Sequence, residues 1–130
     1  MNKLVFSLFL FVLISGVSLN AQNAGDFTVV LTDCLEGARI TRYNGNERAV
    51  VIPATIEDFS VKEIGSGAFQ NRNITSVVIP DSVLIIDDSA FQNCSQLTSV
   101  IIPGSVTRIN DFVFSGCTSL SSITLQVVQG

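Results

Sequence analysis

The apolar positions of this chain recur with a fixed period. Val83 and Val106, Ile86 and Ile109, Phe91 and Phe114, Cys94 and Cys117, and Leu97 and Leu120 each stand 23 residues apart, as do Pro80 and Pro103. A period in that range predicts a solenoid, in which each unit is one coil that buries its apolar face only against its neighbours. Four segments alternate apolar with other residues and read as the strands of successive coils: AVVIP at 49–53, SVVIP at 76–80, SVIIP at 99–103 and SITL at 122–125. Side chains along a strand point to alternate faces. In parallel register, Val50, Val77, Val100 and Ile123 therefore share the inner face with Ile52, Ile79, Ile102 and Leu125. Proline has no N–H to give to a ladder, so Pro53, Pro80 and Pro103 are expected to end their strands at one height. The return path of each coil is apolar at fixed places: Val61, Ile64 and Phe69, then Val83, Ile86 and Phe91, then Val106, Ile109 and Phe114. These predict ladders stacked behind the sheet.

Upstream of the repeats, residues 27–31 (FTVVL) and 38–43 (ARITRY) read as the strands of a hairpin, with Cys34, Glu36 and Gly37 in the joining loop. Asn44-Gly45-Asn46 is a turn signal. A solenoid needs a terminal element over its first apolar coil, and residues 22–48 are assigned to that cap. Residues 1–21 read as a secretory signal, with Lys3, an apolar run over residues 4–14, and a small residue at Ala21 after which cleavage is expected. That run is short of the ~20 residues that span a bilayer, so stable membrane insertion is not expected. The organisation is thus a signal peptide at 1–21, a cap at 22–48, repeats at 49–125 and a tail at 126–130. So short a tail makes no capping element. Either Val127 and Val128 fold over the last coil, or that edge is open to self-association.

Charge and chemistry narrow the function. A formal charge of −4 argues against nucleic acid or an anionic membrane as partner. Histidine is absent from the sequence, which removes the usual neutral-pH general base and the commonest metal ligand. A Ser-His-Asp set therefore cannot be assembled, and no Gly-x-Ser-x-Gly elbow occurs. Gly65-Ser66-Gly67 lacks the lysine of a phosphate loop and reads as a turn. Asp87-Asp88 reads as a solvated pair in a turn. Cys94 and Cys117 occupy equivalent slots in coils about 4.8 Å apart, which read as a ladder of small buried thiols, with a disulfide the alternative. No catalytic, metal or cofactor residue is assigned. The outward rows are more informative: Ser76, Ser99 and Ser122 continue from Ala49, and Val78, Ile101 and Thr124 continue from Val51. Such residues suit strands in any case, yet together they form a smooth, uncharged, partly apolar face. Ser76, Val78, Ser99, Ile101, Ser122 and Thr124 are accordingly read as a contact surface for a protein partner.

The repeat resembles the BspA-like class of leucine-rich repeats, whose unit reads approximately Cys-x-x-Leu-x-x-Val-x-Ile-Pro-x-Ser-Val-x-x-Ile-Gly-x-x-Ala-Phe. Cys94, Leu97, Val100, Ile102, Pro103, Ser105, Val106, Ile109 and Phe114 match it, and the preceding unit matches from Ile74 and Val77 through Ala90 and Phe91. Asp87 and Asn110 stand where the family has glycine, as Gly65 does here; both types tolerate positive φ at that turn. Val113 replaces alanine, which is expected to splay the last coil slightly. Arg72 takes the cysteine place in a unit one residue shorter between Phe69 and Ile74. Combined with the pattern, the resemblance implies an α/β-type solenoid, predominantly β: a short leucine-rich-repeat stack with parallel strands and an N-terminal β-hairpin cap. It also implies a secreted or cell-surface protein without enzymatic activity or cofactor. Its partner would be a host extracellular matrix protein or a microbial surface protein, in adhesion. The alternative is a structural part of the cell envelope, assembled by end-to-end stacking of repeats.

Overall fold

The computed structural model describes residues 24–33 and 35–127. The segment read as a secretory signal, Cys34 and Val128 lie outside them. Apart from a 3-10 turn at Ala24–Asp26, the described residues form only strands and turns. Strands β1 (Phe27–Thr32) and β2 (Gly37–Tyr43) pair antiparallel as the expected hairpin. The coils then contribute β3 (Ala49–Val51), β6 (Ser76–Val78), β8 (Ser99–Pro103) and β10 (Ser122–Gln126) to one parallel sheet, in the order β10-β8-β6-β3. Val50 faces Val77, Val77 faces Val100, and Val100 faces Ile123, which is the register that the 23-residue period requires. The prolines behave unequally: β3 and β6 stop two residues before Pro53 and Pro80, whereas β8 runs through Pro103, opposite Gln126.

The return path is itself a sheet. Strands β5 (Phe59–Ile64), β7 (Ile85–Ile86) and β9 (Arg108–Ile109) pair in parallel, and β2 joins β5, so that the hairpin extends this second sheet in the order β1-β2-β5-β7-β9. Two-residue strands are too short for an alternation signal, which is why the pattern showed only apolar places there. The first coil also carries an insertion. Strand β4 (Thr55–Ile56) pairs antiparallel with the start of β5. Glu57 and Asp58 between them have φ of 51° and 67°, as the two central residues of a tight I′ hairpin must. This hairpin lengthens the step from Val50 to Val77 to 27 residues, against 23 from Val77 to Val100.

Between the sheets, Val50, Ile52, Val77, Ile79, Val100 and Ile102 pack against Val61, Ile64, Val83 and Ile86, all buried. The third wall is a stack of rings. Phe69 and Phe91 lie 4.9 Å apart and 22° from parallel, and Phe91 and Phe114 5.7 Å and 13°. The last step is the wider one, in the direction expected from Val113 in place of alanine. The stack continues into the hairpin through Tyr43, 5.2 Å from Phe69, and Phe27, 5.3 Å from Tyr43. The hairpin thus closes the first coil with rings of its own.

The turns correct one expectation. Positive φ falls not at Gly65, Asp87 and Asn110 but two residues later, at Gly67, Ser89 and Phe112, and again at Asn71, Asn93 and Gly116. Gly65 answers to a different constraint: a Cβ there would lie 2.7 Å from the Ile40 carbonyl oxygen, to which the Gly65 N–H donates at 2.8 Å. The later coils make the same bond, Asp87 to Ile64 and Asn110 to Ile86, without the hairpin pressing on them. Phe112 is the strained member of its row, with φ 58° and 69% of its surface exposed. A left-handed conformation costs a non-glycine residue about 1–2 kcal/mol.

The last coil has nothing stacked on it among the described residues. Ile123 and Leu125 hold their inner-face register yet are 48% and 67% exposed, where Val100 is 1%. Ile109 is likewise half exposed, and Val127, at 82%, does not fold over the coil. Burial therefore follows from having a neighbour on both sides, which Phe91 has. Phe91→Ala removes a ring fully buried between two others and is expected to cost about 3–5 kcal/mol. Thermal unfolding measures it, and a midpoint equal to that of the unchanged protein would refute the stacked core.

Candidate protein-binding surface

The four-stranded sheet presents its outward residues in straight rows. Ser76 lies opposite Ser99 and Ser99 opposite Ser122; Val78 lies opposite Ile101 and Ile101 opposite Thr124. Ser76, Val78, Ser99 and Ile101 are half-buried, and Ser122 and Thr124 are exposed. The structure thus brings the six sequence-assigned residues onto one face, with no charged residue in any of its strands. The starts of β6, β8 and β10 are pinned by hydroxyls. Thr75 Oγ1 donates to the Arg48 carbonyl at 3.2 Å, Thr98 Oγ1 to Thr75 at 3.0 Å, and Ser121 Oγ to Thr98 at 3.2 Å. Similar rungs run behind the far ends, from Ser105 Oγ to Val83 at 2.8 Å and from Thr107 Oγ1 to Leu84 at 3.2 Å. Every one of these hydroxyls donates to the preceding coil, which keeps the rows aligned and the face flat from rung to rung.

The remaining polar groups serve the turns. Asp87 accepts from the Asp88 N–H at 2.9 Å and from Asn110 Nδ2 at 2.7 Å, and Asp88 Oδ1 accepts from the Asp111 N–H at 3.0 Å. Burial alone would raise the Asp87 carboxyl; those two donors, with the charges of Arg39 and Arg108, outweigh it and hold the group below its usual range. The pair stays in contact with solvent, as expected of a turn, and also serves as a ladder of turn acceptors. Glu63 is buried and meets Arg39, with Nε to Oε1 at 3.0 Å. That nitrogen is angled out of hydrogen-bond geometry, so the contact is one of charge. A buried carboxylate needs such a partner. Among the described residues no three Cys, Asp or Glu side chains gather as metal ligands would.

The thiols form the expected ladder. Cys94 Sγ donates to the Phe69 carbonyl at 3.0 Å and Cys117 Sγ to Phe91 at 3.1 Å, one coil apart, and both are free. Burial pushes the Cys94 thiol up to about 11 and raises Cys117 as well. Both are therefore protonated near neutral pH and poor nucleophiles.

One feature of the site escaped the sequence. Tyr43, Arg48, Asn71, Arg72, Asn73 and Gln96 line a cleft of about 570 Å³ beside the starts of β3, β6 and β8. The signal was present, since Arg72 occupies the cysteine place of a shortened unit, but that departure by itself assigns no role to the arginine. The cleft gathers side chains from positions 43 to 96, and no local pattern joins those.

The sequence model of the family described as BspA type leucine-rich repeat region matches residues 49–128 in six copies. Among solved structures, the chain is similar to a leucine-rich repeat protein of T. pallidum, at 32% identity and a TM-score of 0.78, over 82% of this chain and 50% of that one. A leucine-rich cell surface protein of Faecalibacterium prausnitzii is 31% identical with a TM-score of 0.71, over 85% of this chain and 33% of that one. A leucine-rich repeat protein of Bacteroides ovatus is 36% identical with a TM-score of 0.67, over 75% and 27%. The chain spans half or less of each of these proteins. No curated protein matches it.

The burial of the thiols sets their reactivity. In a Cys34→Ser background under native conditions, iodoacetamide followed by mass spectrometry should label Cys117 slowly and Cys94 more slowly still, with both labelling fully once the chain is unfolded. Rapid native labelling of Cys94 would contradict the ladder.

Proposed function

We propose, because the chain belongs to the BspA-type leucine-rich repeat family, that it is a non-enzymatic protein-binding module working outside the cell or on its surface. Its partner is a host matrix protein or a surface protein of another cell, docked on the four-stranded sheet. The observation that carries this reading is the in-register, uncharged face of Ser76, Val78, Ser99, Ile101, Ser122 and Thr124. Such a face costs little to desolvate, and its β-branched row offers apolar area, while the seryl row and the rim supply hydrogen bonds. Similarity to a protein named for the cell surface supports the location, as does the secretory reading of residues 1–21. No helix among the described residues is long and apolar enough to cross a membrane.

Val78→Lys combined with Ile101→Glu tests the docking face. The two side chains are direct cross-strand neighbours, so opposite charges there preserve the fold while placing two charges in the contact. Affinity for a partner captured from host matrix or cell-surface extract should fall by about a hundredfold, near 2.7 kcal/mol. Unchanged affinity with an unchanged circular dichroism spectrum would refute the sheet as the docking face.

A second reading, end-to-end stacking in an envelope assembly, is favoured by the exposed inner-face residues Ile123 and Leu125 of the last coil. Sedimentation separates the two. Concentration-dependent association that is lost in Ile123→Ser with Leu125→Ser supports stacking, and a monomer at high concentration excludes it.

A further inference from the structure

Where the repeat departs from its own template, the chain forms the cleft. The thiols of Cys94 and Cys117 turn inward to carbonyls of the preceding coil; Arg72, in the equivalent place, cannot follow them, because an unpaired charge in that core is far more costly than a thiol. It stays half-buried at the surface and lines the cleft instead. Among the described residues its guanidinium has neither an ion pair nor a hydrogen-bond partner. Arg48, which lines the same cleft, donates from Nε to the Asn73 carbonyl at 3.3 Å. Tyr43 is fixed from two sides, stacked on Phe69 and pressed by the turn at Gly45, where a Cβ would lie 2.6 Å from the ring. Its hydroxyl donates to the Glu47 carbonyl at 3.2 Å.

The charges make the cleft unlike the rest of the molecule. Arg48 and Arg72 line the cleft with Glu47, and the Asp26 carboxylate also acts on Tyr43, so two cations sit among partly offsetting carboxylates in a chain of formal charge −4. An arginine fork suits a planar carboxylate, and two cations partly offset by neighbouring carboxylates suit a monoanion better than a phosphate, which carries about two charges. The position suggests where that anion comes from. Arg48 directly precedes β3, Asn73 lies three residues before β6, and Gln96 lies three before β8. The cleft therefore adjoins the strand starts, beside the Ser76 and Ser99 row.

We propose that this cleft is an anchoring subsite for one aspartate or glutamate side chain of an acidic peptide segment, the rest of which lies along the sheet face. The peptide part of the inference rests on the protein-binding reading; the carboxylate part stands on the cleft alone, and the experiment keeps them apart. The ¹⁵N-labelled full chain is titrated with sodium acetate against sodium chloride at matched ionic strength. It is then titrated with the peptide Ser-Val-Ser-Glu-Val-Thr-Val and its Gln counterpart, and with sodium phosphate and N-acetylneuraminic acid as other anion sources. Acetate should shift the Nε–H signals of Arg48 and Arg72 where chloride does not, and the Glu peptide should bind about tenfold more tightly than the Gln peptide. Arg72→Gln, and separately Arg48→Gln, should abolish that difference while keeping the thermal midpoint. The acetate shifts should persist in the Val78→Lys, Ile101→Glu variant. Arginine signals that ignore acetate overturn the subsite whatever the sheet binds. Equal affinity for the two peptides, or tighter binding of phosphate or the acidic sugar than of the Glu peptide, overturns the peptide as its ligand.

Discussion

One coil of this chain is too thin to enclose anything. Its inner valine and isoleucine, its phenylalanine and its turn carbonyls face along the stack, so each is buried or bonded only by the coil before or after it. Stacking at a constant register is the constraint from which the rest follows. It sets Phe69 on Phe91 and Phe91 on Phe114. It sends the hydroxyls of Thr75, Thr98 and Ser121 to the preceding coil, and it turns Cys94 and Cys117 into inert rungs rather than reactive thiols.

The same constraint accounts for the ends. At the N-terminal side the hairpin supplies what a preceding coil would: Tyr43 and Phe27 extend the ring stack, and β2 pairs with β5. Its approach is close enough that Gly65 must lack a Cβ, whereas Asp87 and Asn110 can carry side chains in the same place. At the other side no described residue takes that part, and apolar residues in perfect register are left exposed. The difference between Val100 and Leu125 lies not in the residues but in whether another coil lies beyond them.

The outward face is what stacking leaves over. Outward side chains of the four-stranded sheet are not needed for the core, so their character is free to vary, and here it is uncharged and partly apolar. The cleft is the complement of that face. It exists because one unit lost a residue and exchanged its cysteine for Arg72, which a regular coil has no room to bury. Regular coils thus form a flat, uncharged face, the one we propose for docking, and the irregular one adds a charged cleft beside it.

The periods of 23 and 2 are properties of the chain itself. For that reason the inner face from Val50 to Val100, the outward rows, the ring of each coil and the thiol ladder were legible without coordinates. The two-residue strands β7 and β9 were not, being shorter than any period, and neither was the placement of positive φ at Ser89 and Phe112. Only the tertiary structure decided that Tyr43 joins the phenylalanine stack, that Gly65 answers to Ile40, and that Arg48, Arg72 and Gln96 surround one cleft. These depend on distances between segments from different coils, which a repeat pattern predicts only where the coils are alike. At Arg72 they are not.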